Sequence, residues 1–326
     1  MNKNSFRSLL FQKDFDSCNK IIQSTVSGPG LIKIINDLIF VSASIKLPTN
    51  KKTHPVSVIN SIKNFISDDR QNPSKLLLEY GVKYLIQFEF RINDKKFLSE
   101  IVRIGAGETV FTGDLEDACQ DSNWKKAKTL VAKLFLASDQ SRATLDTLVE
   151  LALQDPGQNS LFCFHLLRAY QFQVIKEDNW TFISCLFDVL SKKEMPKPHK
   201  NENIDIEKFQ NGMFFKLNPI LSSSILRLWN GDYVRIRGYQ RELSHWIKRN
   251  NITNKNQIFS TSRNIERSLT LPNFIKKAEA IVTRKNKIGN IAADLVALEA
   301  LRFLYRKKSK QEKHYIYDLI SKIVQE

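Results

Sequence analysis

Basic side chains interleaved with aromatic ones form the strongest chemical signal in this sequence. Arginines and lysines stand close to tryptophans and tyrosines over residues 229–249 and again over 300–320. Lysine and arginine neutralise phosphates and release counterions, while aromatic rings stack on unpaired bases. This mixture favours RNA or single-stranded DNA as a ligand. The candidate nucleic-acid-binding residues are Arg235, Arg237, Arg241, Lys285, Arg306, Lys307, Lys308 and Lys310.

The positive charge is concentrated toward the end of the chain. Of the formal net charge of +16, residues 201–326 supply 23 Lys and Arg minus 12 Asp and Glu, which is +11, and residues 1–200 supply 27 minus 22, which is +5. Such asymmetry indicates an acidic partner for the C-terminal part. Nucleic acid or another polyanion is the first candidate. The alternative explanation is a general bias toward lysine and asparagine in the composition.

His165 is the histidine with the strongest claim to catalysis. It lies within "SLFCFHLLRAYQFQVI", residues 160–175, and an imidazole on such an apolar helix needs a hydrogen-bond partner. Buried titratable groups are common in active sites. A second hypothesis is therefore an all-α enzyme or cofactor-binding protein with a pocket around His165, in which His54 and Arg168 take part. The alternative is a core histidine bonded to a neighbouring carbonyl or hydroxyl.

Familiar catalytic and metal-binding motifs are absent from the sequence. The four cysteines form no Cys-x-x-Cys pair, the histidines show no metal-binding spacing, and Gly105-Ala106-Gly107 is not followed by the residues of a phosphate loop. No Gly-x-Ser-x-Gly elbow is present. The sequence therefore predicts no metal site and no cofactor, and it leaves open whether the protein is an enzyme.

Composition and hydropathy predict a globular protein of the cytoplasm. The hydrophobic share is 42%, which is enough for a packed core without disulfides, and the N-terminus has no apolar signal region before a small-residue cleavage site. The most apolar stretch, residues 31–47, includes Lys33 and Asp37 and is shorter than the roughly 20 apolar residues of a membrane span. We therefore expect no contact with a membrane.

Helical periodicity dominates the chain and predicts an all-α fold. The 11 glycines and 9 prolines allow few tight turns, and apolar residues recur at helical spacing in most segments. His54 and Asn72, each before a proline, and Asp139 are predicted helix caps. A short β hairpin near 95–112 is the most β structure expected. The predicted helices include 31–45, 56–66, 74–91, 160–175, 219–229, 239–249, 272–285, 290–308 and 312–325.

The segment 193–205 is the best candidate for a linker. It is rich in charged residues and proline and contains almost no core material. We therefore predict an irregular antiparallel helical array in two parts, a helical domain over 1–192 and a basic helical domain over 206–326. The function expected is that of a non-enzymatic binding or adaptor protein whose C-terminal part engages nucleic acid or another polyanion. A protein–protein scaffold is the third hypothesis.

Overall fold

The chain folds as an all-α protein, which confirms the predicted fold class. The computed structural model describes residues 5–24, 27–46, 53–105, 109–200, 204–209, 219–250, 273–284, 288–307 and 310–325. Within these ranges the chain forms sixteen α-helices, two short 3₁₀ turns and one sheet of two strands.

The elements follow one another in this order along the chain. The helices are α1 (Phe6–Phe11), α2 (Phe15–Ser24), α3 (Gly28–Ala43), α4 (Pro55–Ile66), α5 (Lys75–Leu85), α6 (Asp94–Ile104), α7 (Thr112–Gln120), α8 (Trp124–Ala137), α9 (Ala143–Ala152), α10 (Pro156–Phe172), α11 (Asn179–Leu190), α12 (Pro219–Trp229), α13 (Ile236–Arg249), α14 (Phe274–Val282), α15 (Ile288–Lys307) and α16 (Lys310–Gln325). The strands are β1 (Ile45–Lys46) and β2 (Glu89–Phe90), and the 3₁₀ turns are Lys176–Asp178 and Ile206–Phe209.

Capping side chains set where several helices begin. The side chains of Ser5, Asn123 and Asp155 accept hydrogen bonds from the first turns of α1, α8 and α10. Each bond satisfies a backbone N–H that has no partner within its helix. His54 caps α4 as predicted, and Pro55 takes the first helical position, where its missing N–H costs nothing.

Two of the predicted caps are wrong. Helix α5 is capped by Ser74 and not by Asn72, because the Ser74 hydroxyl accepts the Leu77 N–H. Asp139 does not cap α9, which begins at Ala143; it lies in the preceding turn with φ of 51°. In both places a turn extends further than the sequence pattern indicates.

Helices α4 and α10 form the centre of the molecule. Helix α10 packs on α4, α9, α11 and α12, and α4 packs on α3, α5, α14 and α15 as well. Nearly every residue of α4 is buried, and α10 is buried on most sides. Helices that are apolar almost all round belong in such positions. The central place predicted for residues 160–175 is therefore the place of α10.

The small sheet joins residues that are far apart in sequence. Strand β1 pairs antiparallel with β2, with Ile45 opposite Phe90 and Lys46 opposite Glu89. Arg91 secures this pairing, since its guanidinium donates to the Ile45 and Ala43 carbonyls at 2.9 and 2.8 Å. Near 95–112, where at most a short hairpin is predicted, the described residues hold no strand: α6 covers all of 95–104, and α7 begins at Thr112.

Helices from both sides of the predicted linker pack together. Helix α12 lies against α10, and α15 lies against α4. The buried apolar core runs from Phe6 to Ile320 through both parts. Contacts between helices do not decide whether either part folds alone, so the division at 193–205 stays a prediction.

Candidate functional site

Arg235 and Arg241 bind carboxylates of the protein itself. Arg235 Nη2 lies 2.6 Å from Glu116 Oε1, and Arg235 Nε donates to Glu150. Arg241 Nη2 lies 2.7 Å from Glu150 Oε1, and its Nε lies 2.9 Å from Glu242 Oε1. The result is a chain of alternating charges that joins α7, α9 and α13. Pairing of this kind reduces the positive potential that these two arginines offer to an external polyanion.

Arg306 is also paired. Its Nη2 lies 3.1 Å from Asp68 Oδ1, and Arg302 Nε lies 2.7 Å from Asp68 Oδ2. Burial alone would raise the pKa of Asp68, but the hydrogen bonds and charges of the two arginines hold that pKa below its ordinary value. The Asp68 carboxylate is therefore ionised at neutral pH and neutralises part of the charge after residue 300.

The other predicted basic residues divide into exposed and undescribed ones. Arg237 and Lys307 are exposed and form no ion pair with a described residue. Lys285 and Lys308 lie outside the described residues, and the side chain of Lys310 is not described. The structure therefore does not gather the eight predicted residues into one surface that can be traced through the described part of the chain.

Helix α13 carries a regular basic stripe. Arg237, Arg241, His245 and Arg249 recur every four residues, a spacing that places side chains along one face of a helix. Arg237 and Arg249 are exposed, and neither forms an ion pair with a described residue. Lys248, also exposed, lies beside Arg249.

The segment predicted as a linker docks onto this stripe. The His199 ring stacks on the His245 ring with centroids 3.6 Å apart and planes 16° apart. His199 Nδ1 also lies 2.6 Å from Glu242 Oε2, whose residue is fully buried. Lys197 and Lys200, which stand within two residues of His199 in the sequence, are exposed. Neither lysine forms an ion pair with a described residue.

We name the resulting surface the basic face. It consists of the α13 stripe, Lys248 and the two lysines of the docked segment. Its members are Lys197, Lys200, Arg237, Arg241, His245, Lys248 and Arg249.

The aromatic residues close to the basic face in sequence pack in the core or against it. Tyr233 is 6% exposed and Tyr239 is fully buried, with the Tyr239 hydroxyl donating to the Asp146 carbonyl at 3.2 Å. Trp229 and Trp246 are partly buried against the core. Tyr233 and Tyr239 are thus not available to stack on bases.

His165 is enclosed between α4 and α10. It is 2% exposed, and its Nδ1 lies 2.8 Å from Asn60 Nδ2, which donates to it. Burial lowers the pKa of His165 to about 3; Glu299 opposes the shift, and Arg227 and Lys63 add to it. The imidazole is therefore neutral at physiological pH and satisfied by an amide rather than by a carbonyl or hydroxyl.

His54 lies at the same helix interface and is also buried. Its Nδ1 accepts the Val56 N–H at 3.2 Å, and its Nε2 lies 3.5 Å from Cys185 Sγ. Its ring centroid lies 4.4 Å from that of Phe162 on α10, so the fold does bring the helices of the two histidines together. Burial lowers the pKa of His54 to about 3.

Arg168 does not join the two histidines. It is exposed on α10, and its Nη1 donates to Gln171 Oε1 at 2.7 Å. One surface depression of about 480 Å³ lies near Trp124, and another of about 450 Å³ lies near Arg7. Neither is lined by His165, His54 or Arg168.

Two features of the basic face go beyond the sequence-based predictions. The sequence predicts a linker over 193–205, whereas the contacts of His199 attach this segment to α13. The i+4 repeat of the stripe, by contrast, can be read directly in "RGYQRELSHWIKR".

These observations define the chain as an irregular all-α array with a basic face and two enclosed histidines. No protein-family model, curated protein or solved structure matches it. Among the described residues, no group of three or more His, Cys, Asp or Glu side chains is placed to hold a metal ion. The described helices also include none whose length and hydropathy would let it cross a bilayer.

Proposed function

We propose that the protein is a non-enzymatic polyanion-binding protein whose basic face contacts the phosphate backbone of a nucleic acid. The observation that carries this proposal is the i+4 stripe of α13 with the docked lysines beside it. Arg237, Arg249, Lys197 and Lys200 are exposed and make no ion pair with a described residue, so their charge is available to an external ligand.

The internal ion pairs narrow the proposal to these residues. Arg235, Arg241 and Arg306 already bind carboxylates, so they contribute to an external field less than a solvated arginine does. The buried positions of Tyr233 and Tyr239 remove two of the aromatic side chains that suggested base stacking. We therefore expect binding that depends on phosphate charge and shows little sequence preference.

The test is binding of a single-stranded oligonucleotide at several salt concentrations. The variant combines Arg237→Gln, Arg249→Gln, Lys197→Gln and Lys200→Gln, and filter binding measures the affinity for a uridine oligomer. Each phosphate contact contributes roughly 0.7 to the slope of log K against log salt on single strands. Losing all four contacts should therefore flatten the slope by about 3 and weaken binding at low salt.

A second variant controls for net charge. Lys20, Lys46, Lys125 and Lys126 are exposed and lie outside the basic face. Replacing these four by Gln removes the same charge, so a surface-specific effect should be absent from this variant. Equal losses in the two variants, or no binding by the wild type at low salt, would refute the proposal.

A further inference from the structure

The depression of about 480 Å³ near Trp124 is lined by aromatic rings from three helices. Helix α6 supplies Phe97, α8 supplies Trp124, and α11 supplies Trp180 and Phe187. The volume falls within the range of ligand pockets, roughly 300–1,000 Å³. We name this depression the aromatic pocket. Neither the basic face nor the two enclosed histidines contribute a side chain to its lining.

Trp124 is the ring best placed to stack on a planar ligand. Trp180 is 2% exposed and packs on Phe97, with planes 18° apart. The Lys128 ammonium lies 4.5 Å from the Phe97 centroid and covers part of that ring. Trp124 is only partly buried and meets Phe187 at 80°, with centroids 5.8 Å apart. Such an edge-to-face contact leaves at least one face of the indole free of Phe187.

Polar groups in contact with solvent also line the pocket. The Trp124 indole N–H and the Ser184 hydroxyl bond to no described residue, and neither atom is enclosed. The Asn93 side chain is exposed and makes no capping bond to α6. A hydroxyl and an amide can each donate and accept hydrogen bonds. They therefore suit the edge of a nucleobase, which presents donors and acceptors side by side.

The charges of the lining residues balance. Three positive and three negative side chains line the pocket, so their formal sum is zero. They are Arg91, Lys96, Lys128, Asp94, Glu100 and Asp188. Arg91 Nη2 lies 3.1 Å from Asp94 Oδ2, and Asp188 Oδ2 lies 3.1 Å from the ammonium of Lys192. An uncharged ring therefore fits the pocket better than a phosphate does, so a bound nucleotide would keep its phosphate outside.

The chain itself limits the distance from the aromatic pocket to the basic face. Ser191 lines the pocket, and His199, eight positions further on, contacts His245 and Glu242 of α13. Eight residues span at most roughly 29 Å. At roughly 3.4 Å per stacked nucleotide, about nine nucleotides cover that distance. The two sites therefore lie within reach of one short oligonucleotide.

We infer that the aromatic pocket binds an unpaired nucleobase. The base stacks on Trp124, and its polar edge faces Ser184 and Asn93. The preference for a base over another planar ring rests on the function proposed for the basic face. The base comes either from a free nucleoside or from a single strand held by the basic face, and the two arms of the experiment separate these sources.

The first arm titrates the full isotope-labelled chain with adenosine and follows the binding by NMR. Saturable shifts are expected at the Trp124 indole N–H and at Ser184. Trp124→Ala should weaken binding about tenfold, because it removes the stacking ring. Ser184→Leu should also weaken binding about tenfold, because the larger side chain fills part of the pocket while all four rings stay in place. Circular dichroism checks the fold, and Ser184→Leu decides the outcome if Trp124→Ala does not fold.

The control variant is Trp229→Ala, which removes another partly buried indole that does not line the pocket. It should bind adenosine as the wild type does. Indole is the control probe, because it is planar but lacks the acceptors of a base edge, and it should bind about tenfold more weakly than adenosine. The inference is overturned if adenosine does not saturate up to its solubility limit, if Ser184→Leu binds it as the wild type does, or if indole binds equally well.

The second arm measures filter binding of an adenosine oligomer of about twelve nucleotides, which exceeds the span between the two sites. Weaker binding by Trp124→Ala assigns the pocket to a base of the strand, and unchanged binding assigns it to a free nucleoside. Either result supports the site once adenosine has bound. Since adenosine carries no phosphate, a wild type that binds adenosine but no oligomer would refute only the function proposed for the basic face.

Discussion

The buried ion pair between Arg227 and Glu299 should contribute strongly to stability. Arg227 Nη1 lies 2.8 Å from Glu299 Oε2, and Asn64 donates to Glu299 Oε1 at 2.9 Å. The guanidinium also lies between two rings, 4.6 Å from the Phe164 centroid and 4.2 Å from that of Phe303. The pair joins α12 to α15, and Asn64 adds α4. Removing the carboxylate would leave the guanidinium buried without compensation.

The free energy of unfolding that Glu299→Gln loses can be derived in two ways. Glu299→Gln keeps the shape of the side chain but removes its charge, and breaking a buried pair costs about 3–5 kcal/mol. Burial would raise the pKa of Glu299, but Arg227, His165 and Asn64 together lower it from 4.5 to about 2. A difference of about 2.5 units corresponds to about 3 kcal/mol at 1.36 kcal/mol per unit. The two values agree in magnitude.

The sign of the pH dependence follows from the lowered pKa. The unfolded carboxyl takes up a proton near pH 4.5, whereas the folded one stays ionised to about pH 2. The contribution of the ion pair to the free energy of unfolding is therefore complete above about pH 4.5 and is lost as the pH falls toward 2. About 2 kcal/mol of it is lost at about pH 3. The stability difference between wild type and Glu299→Gln should shrink accordingly.

Urea unfolding followed by circular dichroism provides the measurement. Wild type, Glu299→Gln and the control Glu100→Gln, at an exposed position, are compared at about pH 6 and about pH 3. The control should stay within about 0.5 kcal/mol of wild type. The reasoning fails if Glu299→Gln also stays within that margin at the higher pH, or if its deficit does not change with pH.

Two further predictions concern single positions. His165 should remain neutral from pH 8 to pH 5 in an imidazole NMR titration, because burial lowers its pKa to about 3; a midpoint near 6.5 would contradict this. Since the unfolded chain takes up that proton near 6.5, His165 also makes stability fall as the pH drops below 6.5. Gly238→Ala should cost about 1–3 kcal/mol in thermal or urea unfolding, because the added Cβ would overlap the Glu150 carboxyl group. Gly113→Ala, whose Cβ would meet open space, should stabilise α7 by less than about 1 kcal/mol, and equal effects at the two glycines would contradict the packing argument.

Helix positions were predictable because the information is local. The apolar repeat in 160–175 and the proline after His54 indicate α10 and the start of α4 without knowledge of any distant residue. The pattern failed where local signals compete. Residues 95–104 hold exposed apolar side chains such as Val102 and Ile104, which read as strand although they form α6.

The ion pairs could not be predicted, since their partners are far apart in sequence. Arg235 and Glu116 are separated by 119 positions, and Arg306 and Asp68 by 238. A charge count of the C-terminal part therefore does not indicate which arginines are neutralised within the fold. Likewise, no local pattern shows that His199 stacks on His245 and that its segment belongs to the basic face.

The packing of α15 on α4 has a consequence for synthesis on the ribosome. Asn64 of α4 bonds to Glu299 of α15, which follows it by 235 positions. At about 5–20 residues per second, the ribosome needs roughly 12–47 s to reach Glu299 after Asn64 has been added. During that interval the side of α4 that packs on α15 is exposed. Chaperones can then bind an apolar stretch of the nascent chain that is buried in the folded protein.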